Sequence, residues 1–226
     1  MSNRQASNHG SGRSIVIAVD GPAASGKGTI ARALAEHFKL PHMDTGALYR
    51  AVALNLWRWG GDPSSEFEAV RACEDIGSNW QDPELRSEPV SKIASRISAY
   101  PAVREALLER QRSFAAQPGG AVLDGRDIGT VIAPGASAKL YVTASTEVRA
   151  QRRVRELLER GMPAHFDEVL CDLQDRDKRD MNRKAAPLVQ APDADLLDTS
   201  DLTIEEAVAM AIQKVEARLA PVQKPA

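Results

Sequence analysis

A glycine-rich segment near the start of the chain has the spacing of a phosphate-binding loop. It runs Gly21, Pro22, Ala23, Ala24, Ser25, Gly26, Lys27, Gly28, Thr29. A β-branched run from Ile15 to Val19 precedes it, and apolar residues at helical spacing follow it, which is the context that a P-loop requires. Glycines let backbone N–H groups point at phosphate oxygens, and the following helix adds its positive N-terminal dipole. We therefore predict that these nine residues bind ATP, with Lys27 at the β- and γ-phosphates; a plain glycine turn opening a helix is the alternative.

The residue after the lysine departs from the general P-loop pattern. Gly28 stands where Ser or Thr usually follows the lysine, and Thr29 comes one position later. Since that hydroxyl is the usual protein ligand, we expect Mg²⁺, the cofactor that accompanies ATP, to be held mainly by phosphates and water. The candidate protein ligands are Thr29 and Asp124, an acid at the end of a buried strand in the position of a Walker-B aspartate.

A P-loop alone does not distinguish switch GTPases, ATPases and small-molecule kinases. Outside the loop, arginines stand beside acids in three runs, Asp44 to Arg50, Asp124 to Asp127 and Asp175 to Arg183. Two phosphates approach each other only with cations between them, so arginines at element junctions predict a phosphorylated acceptor. The alternatives stay open: Thr45 as a helix cap beside a solvated Arg50, a polar turn, and a solvated, salt-bridged helix face.

A fourth charged run, Arg149 to Arg155, lies in a predicted helix that ends toward Gly161. A basic helix that ends just before a glycine and a proline resembles the mobile lids that cover phosphates in kinases. We therefore predict a short lid over about residues 152–163, with Arg152 and Arg153 binding ATP. A solvated basic helix is the alternative.

Short apolar runs alternating with amphipathic segments predict an α/β fold with a five-stranded parallel sheet and helices on both faces. We expect strands at 15–19, 40–43, 121–123, 139–142 and 195–197, and helices at 27–38, 47–59, 66–76, 103–114, 147–160, 166–182 and 204–219. The pattern predicts a disordered tail over 1–13, a core domain over 14–60 and 115–226, and a helical insert over 61–114. It does not predict the order of the strands.

The composition excludes several classes of protein. The formal net charge is −2 over 226 residues, whereas a polynucleotide-binding domain normally carries a basic excess. Cys73 and Cys171 lie far apart, which argues for a reducing compartment and against a disulfide framework or a zinc site. No apolar run approaches the ~20 residues of a membrane span. We expect a cytoplasmic monomer with small-molecule partners, no nucleic acid and no membrane.

Taken together, the motifs resemble those of the bacterial cytidylate kinase family, a branch of the nucleoside monophosphate kinases. The resemblance extends from about Ile15 to about Leu219. The P-loop is generic, while the run Asp124-Gly125-Arg126-Asp127 and the Arg-x-x-x-Asp-x-x-Arg spacing are more specific. The segments that carry it are Gly21 to Thr29, Asp44 to Arg50, Pro101 to Leu108, Asp124 to Thr130 and Arg176 to Pro187.

The resemblance implies a P-loop nucleoside kinase fold that phosphorylates CMP and dCMP with ATP, an acceptor-binding insert and a short lid. It assigns catalytic roles to Lys27, Asp124, Arg126 and Arg183, the last at the transferring phosphate. Its acceptor-binding residues are Thr45, Arg50, Ser95, Arg104, Arg126, Asp127, Arg176 and Asp180. Among them Arg50 and Arg126 match phosphate contacts, and Arg176 and Asp180 match ribose contacts.

The cytosine contacts implied by the resemblance are Ser95, Arg104 and Asp127. Cytosine offers an amino donor to Asp127, and a carbonyl and a ring nitrogen to the other two. Thr45 stands where the family usually has a serine near the base, so the hydroxyl is kept. One departure concerns the insert: Gly77 to Glu84 is too short for the β-hairpin of other members, so the insert is expected to be almost all helical.

Other functions remain as alternatives. One is a P-loop kinase for a different acceptor, such as UMP or an unphosphorylated metabolite. Another is a non-catalytic nucleotide-sensing module. The arginines at element junctions argue against an uncharged acceptor, and the presence of Lys27, Asp124 and Arg183 argues against an inactive module.

Overall fold

The computed structural model describes residues 14–77 and 82–220. Its centre is a five-stranded parallel sheet in the order β2-β3-β1-β4-β5. The strands are β1 (Ile15–Asp20), β2 (His42–Asp44), β3 (Gly120–Gly125), β4 (Ala138–Thr143) and β5 (Asp195–Asp198). Because β1 lies between β3 and β4, the P-loop leaves from the middle of the sheet. The predicted five-stranded parallel sheet is confirmed.

Eight α-helices lie within these described residues. They are α1 (Lys27–Phe38), α2 (Thr45–Arg58), α3 (Glu66–Arg71), α4 (Glu88–Ile97), α5 (Pro101–Ala115), α6 (Thr146–Glu159), α7 (Phe166–Asn182) and α8 (Ile204–Leu219). The last two coincide with the predicted helices 166–182 and 204–219. In residues 14–77 and 82–220 no helix is both long and apolar enough to cross a membrane.

The period of two along β1 sends its side chains to opposite faces of the sheet. Ile17 and Val19 pack into one cluster with buried residues of α1 and α8, among them Leu34 and Val215. Ala18 packs into another cluster, which contains β3 and the end of α5. Helices therefore cover both faces, as predicted, and the buried strand ends converge on one edge of the sheet.

In its described part, 61–77 and 82–114, the segment between α2 and β3 contains helices joined by turns. It consists of α3, a 3₁₀ turn over Pro83–Arg86, α4 and α5, with no strand in those residues. Val90, Ile97 and Leu107 share a buried cluster with α2, so α2 supports the insert. The predicted tail 1–13 lies outside the described residues, as do positions 78–81 of the segment that is too short for a hairpin.

Some predicted elements have different ends. The second strand, expected at 40–43, covers His42–Asp44, because its register is fixed by pairing with Val122 to Asp124 of β3. The helix expected at 66–76 ends at Arg71, where Cys73 N–H turns back to the carbonyl of Val70. These ends depend on tertiary pairing and on tight turns, which periodicity does not show.

Candidate active site

The P-loop presents its backbone rather than side chains. A Cβ at Gly21 would stand 2.0 Å from the carbonyl oxygen of Val142, so only glycine fits there. Gly26 is the N-cap residue of α1, with φ 87°, and no side chain caps the helix, which leaves its first N–H groups for a ligand. Ala24 is also left-handed, with φ 58°, which costs a non-glycine residue about 1 kcal/mol. Strain of this kind is common where backbone is shaped for binding.

Side chains from three elements hold carbonyl oxygens of the P-loop. Lys27 Nζ donates to Pro22 at 3.2 Å, Arg149 Nη1 to Ala23 at 3.2 Å, and Thr199 Oγ1 to Ser25 at 3.1 Å. Fixing a carbonyl also fixes the N–H group of the same planar peptide unit. The sequence analysis named Arg149 only as part of a basic run and did not identify Thr199, which no motif marks.

Lys27 lies half-buried at the start of α1. Burial, together with the nearby charge of Arg126, lowers the pKa of Lys27 to about 7. Both effects disfavour the ammonium form, and they outweigh the opposing negative charges of Asp124 and Asp44. A bound triphosphate would add negative charge and restore the full charge of the lysine.

The two residues proposed as Mg²⁺ ligands, Asp124 and Thr29, differ in how well they are placed to bind the ion. Asp124 is buried, and its Oδ2 lies 2.7 Å from His42 Nε2. A Cβ built on Gly28 would be 3.9 Å from Asp124 Oδ1, so this carboxylate faces the loop where other P-loops carry a hydroxyl. Thr29 is exposed, with its Oγ1 near Arg32. One carboxylate fits an ion that keeps several waters and binds phosphates, and residues 14–77 and 82–220 contain no cluster of three His, Cys, Asp or Glu ligands.

A cavity of about 250 Å³ opens in front of the P-loop. Charged side chains from α1, α2, α5, β3 and α7 line it, and most of the predicted catalytic and acceptor-binding residues are among them. Those residues are Lys27, Thr45, Arg50, Arg104, Asp124, Arg126, Asp127, Arg176, Asp180 and Arg183. Parallel strands end at one edge of a sheet, which explains why distant segments meet there.

Buried acids hold three arginines of this cavity. Asp127 pairs with Arg104, and its Oδ1 lies 3.3 Å from Nη2 of Arg183. Arg126 Nε donates to Asp180 Oδ2 at 2.8 Å. Burial alone would raise the pKa of Asp180, but the charges of Arg126 and the neighbouring Arg176 hold it below its usual value. The carboxylate of Asp180 is therefore ionised near neutral pH.

Two arginines of the cavity have unused donors. Within residues 14–77 and 82–220, Arg50 and Arg176 each have a buried Nε atom without a hydrogen-bond partner, although Arg50 also pairs with Asp44 at 2.6 Å. Burial, followed by the positive charge of Arg126, lowers the pKa of Arg176 to about 10. Buried donors without partners are costly, so the cavity is electrostatically suited to an anionic ligand.

Thr45 does not cap α2. Asp44 is the N-cap residue of α2, and its side chain accepts from Ala47 N–H. Thr45 Oγ1 instead donates to the carbonyl of Asp124 at 2.8 Å. The alternative in which Thr45 caps the helix is therefore wrong, because both adjacent residues are good caps and only the contact with β3 decides between them. Thr45 still lines the cavity.

A second cavity, of about 660 Å³, lies between the insert and helices α6 and α7. Ser95 and Arg153 line it, whereas neither lines the smaller cavity. Ser95 Oγ is 3.3 Å from Arg179 Nη2, and Arg153 pairs with Glu88. Arg152 lines neither cavity and donates instead to Thr199. Of the two predicted ATP-binding arginines, the structure therefore brings only Arg153 to a cavity.

Tyr49 also lines the smaller cavity, and the sequence analysis did not select it. Its ring lies under the guanidinium of Arg104, 5.7 Å from ring centroid to carbon. A cation over an aromatic face is stabilised by the ring quadrupole. In the sequence, only the position of Tyr49 directly before Arg50, one turn into α2, indicates that it lies at the cavity.

Residues 17–217 match the family described as cytidylate kinase. A protein named "Cytidylate kinase" from Xanthobacter autotrophicus is 56% identical over 207 residues, covering 91% of this chain and 99% of that protein. One of the same name from Rhodopseudomonas palustris is 54% identical, covering 90% and 96%.

The solved structures extend the likeness of fold to a distant protein. An uncharacterized protein from Eubacterium ventriosum superposes with a TM-score of 0.55 at 13% identity, covering 91% of this chain and 99% of its own. At that identity the likeness concerns the fold alone. The family match covers nearly all of the described residues, including both cavities. The chain belongs to the cytidylate kinase family.

Proposed function

We infer that this protein is a kinase that transfers the γ-phosphoryl group of ATP to CMP and dCMP. The observation that carries the inference is the buried carboxylate of Asp127, held by Arg104 and Arg183 in a cavity that also contains Lys27 and Arg126. A hydrogen-bond acceptor fixed beside several cations suits a base with an amino group attached to a phosphate. The names of the relatives support the same substrate.

The donor half of the reaction uses the P-loop. Its N–H groups and Lys27 bind the β- and γ-phosphates, where they stabilise charge that builds up during in-line transfer. Mg²⁺, when bound near Asp124 and the phosphates, would add neutralising charge. Arg153 of the proposed lid faces the larger cavity, where it can reach phosphates from the opposite side.

The acceptor half uses the arginines that surround the smaller cavity. Arg50 and Arg126 bind the phosphate of CMP, with the unused Nε of Arg50 available for a phosphate oxygen. Arg176 and Asp180 contact the ribose, and Arg183 stabilises the transferring phosphate. Arginine suits this work because its planar fork binds phosphate oxygens in pairs.

Base selection depends on the partners of Asp127. Its carboxylate accepts a hydrogen bond from the cytosine amino group, and Arg104 donates to the carbonyl or ring nitrogen in the smaller cavity. Ser95, which lines the larger cavity, donates from that side. UMP presents a carbonyl where CMP presents the amino group, so lone pairs would oppose lone pairs in a water-poor site. Such a mismatch costs about 2–4 kcal/mol, or roughly a hundredfold in kcat/KM.

The insert and the lid are proposed to close together over the substrates. Contacts between them include Arg153 with Glu88 and Arg160 with the carbonyl of Arg86. Lys92 of the insert also pairs with Asp172 of α7 at 3.0 Å. These contacts lie at the rim of the larger cavity, where closure would exclude water from the phosphates. We also propose that the protein is a cytoplasmic monomer. Sedimentation tests whether it is a monomer.

An acceptor panel tests the proposed function. Purified protein is incubated with ATP and Mg²⁺ and with CMP, dCMP, UMP, AMP, GMP or cytidine, and ADP release is measured. We expect CMP and dCMP to be good acceptors, UMP to be poorer by about a hundredfold, and cytidine to be inactive. Equal use of UMP would reject the base selection, activity on cytidine would reject a phosphorylated acceptor, and nucleotide binding without turnover would indicate a sensing module.

A further inference from the structure

Asp20, at the carboxyl end of β1, connects the two halves of the site. It is 5% exposed and directly precedes the P-loop. Its Oδ1 accepts from the N–H of Ile128 at 2.8 Å, and its Oδ2 accepts from the N–H of Gly129 at 2.8 Å. Those two residues immediately follow Asp127. One carboxylate therefore joins the entrance of the donor loop to the segment that carries the acceptor contacts.

The segment held by Asp20 has no cap of its own. Residues Ile128–Ile132 form one short π-helical turn whose N-cap residue, Asp127, makes no side-chain capping bond. The side chain of Asp127 is engaged with arginines instead. Asp20 thus supplies from β1 the acceptor oxygens that a capping side chain would normally provide, which leaves the carboxylate of Asp127 free to face the cavity.

Keeping a carboxylate at this position is costly. Burial raises the pKa of Asp20 to about 6, opposed by its two backbone hydrogen bonds and increased by the negative charge of Asp127. The fit around it is also tight, since a Cβ at Gly129 would stand 3.3 Å from Asp20 Oδ2 and 3.0 Å from Lys139 Cδ. A residue that served only to fill this space would not need a charge.

We propose that Asp20 is a positioning residue for the acceptor: by fixing the main chain at Ile128 and Gly129, it aims Asp127 and Arg126 into the cavity. The proposal rests on the proposed function, because it takes Asp127 as the base contact. It predicts that damage to Asp20 weakens the use of CMP much more than the use of ATP, even though Asp20 is the neighbour of the P-loop in the sequence.

Asp20→Asn tests the proposal. Asparagine has the same shape but accepts only one of the two N–H groups, and its amide opposes the other. We expect the KM for CMP to rise about tenfold or more and the CMP:UMP ratio of kcat/KM to fall. The KM for ATP should stay within about threefold. An unchanged KM for CMP, or an equal rise for ATP, would overturn the proposal.

Two glycine variants test the same contact without changing Asp20. Gly129→Ala crowds the carboxylate, so it should raise the KM for CMP in the same direction. Gly135→Ala, where a Cβ meets nothing within 4 Å, should change neither KM. If Asp20→Asn does not fold, the comparison of these two alanines decides, and equal kinetics in both would overturn the proposal.

Amide hydrogen exchange separates this proposal from the proposed function. In wild type the N–H groups of Ile128 and Gly129 should exchange slowly, and in Asp20→Asn or Gly129→Ala they should exchange faster than in Gly135→Ala. If wild type fails to phosphorylate CMP in the acceptor panel, the proposed function fails whatever the exchange shows. If wild type selects CMP and the variants exchange faster yet keep the same acceptor kinetics, only the role of Asp20 fails.

Discussion

The P-loop and the acceptor cavity are adjacent but are built in opposite ways. The P-loop is nine consecutive residues that offer backbone N–H groups and a single charged side chain, Lys27. The acceptor cavity collects side chains from four other elements and pairs them with one another, as in Arg126 with Asp180 and Arg104 with Asp127. One site is a local backbone structure, and the other is a tertiary network of charges.

This difference determines the structure of each site when no ligand is bound. Backbone dipoles need no counter-charge, so the P-loop can hold its shape while empty. Burying an arginine without a partner is costly, and acids hold Arg104, Arg126 and Arg183 in the acceptor cavity. An incoming phosphate must therefore share or replace these contacts. We therefore expect P-loop variants to lose turnover and acceptor variants to lose affinity and stability.

The largest expected effect is on the donor side. Lys27→Ala should lower kcat by about 10²–10³-fold or more, because a charge at the β- and γ-phosphates is lost. The fold should persist, since the lysine is half-buried and its only hydrogen bond within the described residues is to Pro22. Steady-state kinetics and circular dichroism measure both quantities. Lys178→Ala, which removes a lysine that is 72% exposed, is the matched control, and activity of Lys27→Ala near wild type would reject the P-loop assignment.

The next effect is on the acceptor side. Arg126→Ala should raise the KM for CMP by about a hundredfold, far more than the KM for ATP. It should also destabilise the protein by about 3–5 kcal/mol, because Asp180 is left buried without its partner. Adding Asp180→Asn should recover stability without recovering the KM for CMP. A larger effect on ATP would move Arg126 to the donor side.

The same contrast explains what could be predicted from the sequence. The P-loop and the start of α8 depend on local sequence patterns. At the start of α8 these include a capping box, in which the side chains of Thr203 and Glu206 each accept a hydrogen bond from the other residue's backbone N–H. The pairing of Asp127 with Arg104 and Arg183 does not depend on a local pattern, since these residues lie 23 and 56 positions away in the sequence. The residue types of the acceptor cavity were therefore predictable, but their pairing was not.

Other features of the site depend on tertiary contacts in the same way. Arg152 and Arg153 lie in one basic run, which predicts one role for both, yet the two side chains point to different places, one to Thr199 and the other to Glu88. Strand order is not predictable either, because it depends on packing between distant segments. The role of Asp20 is not predictable because a single acid at a strand end carries no pattern.

A smaller effect concerns base selection. Asp127→Asn should narrow the CMP:UMP ratio of kcat/KM by about tenfold or more, mainly through lower activity on CMP. The asparagine amide can rotate and donate to the uracil carbonyl, which a carboxylate cannot do. The measurement is kcat/KM for CMP, dCMP and UMP with both proteins. An unchanged ratio would show that Asp127 does not contact the base.

The smallest expected effect is proton uptake when a nucleotide binds. It distinguishes the two sites because the donor site uses a lysine, which can lose its proton, whereas the acceptor site uses arginines, which do not. With a pKa of about 7, Lys27 is largely neutral at pH 8 in the empty protein. Triphosphate binding favours the charged form, so the pKa rises and the protein takes up protons, at most about 0.9 per ATP at pH 8. At pH 6 the lysine is already charged and uptake should nearly vanish. As pH rises from 7 toward the pKa of the bound state, ATP affinity should therefore weaken.

Calorimetry in buffers of different ionisation enthalpy measures this uptake. CMP binding should take up far fewer protons at pH 8, because the proposed phosphate contacts are guanidinium groups, which stay charged whether or not a phosphate is present. Lys27→Arg is the matched variant, since it keeps the charge but cannot lose its proton at this pH. It should abolish the uptake that accompanies ATP and leave CMP binding unaltered. Equal uptake with the two nucleotides, or uptake that survives in Lys27→Arg, would mean that another group titrates and that Lys27 is charged in the empty loop.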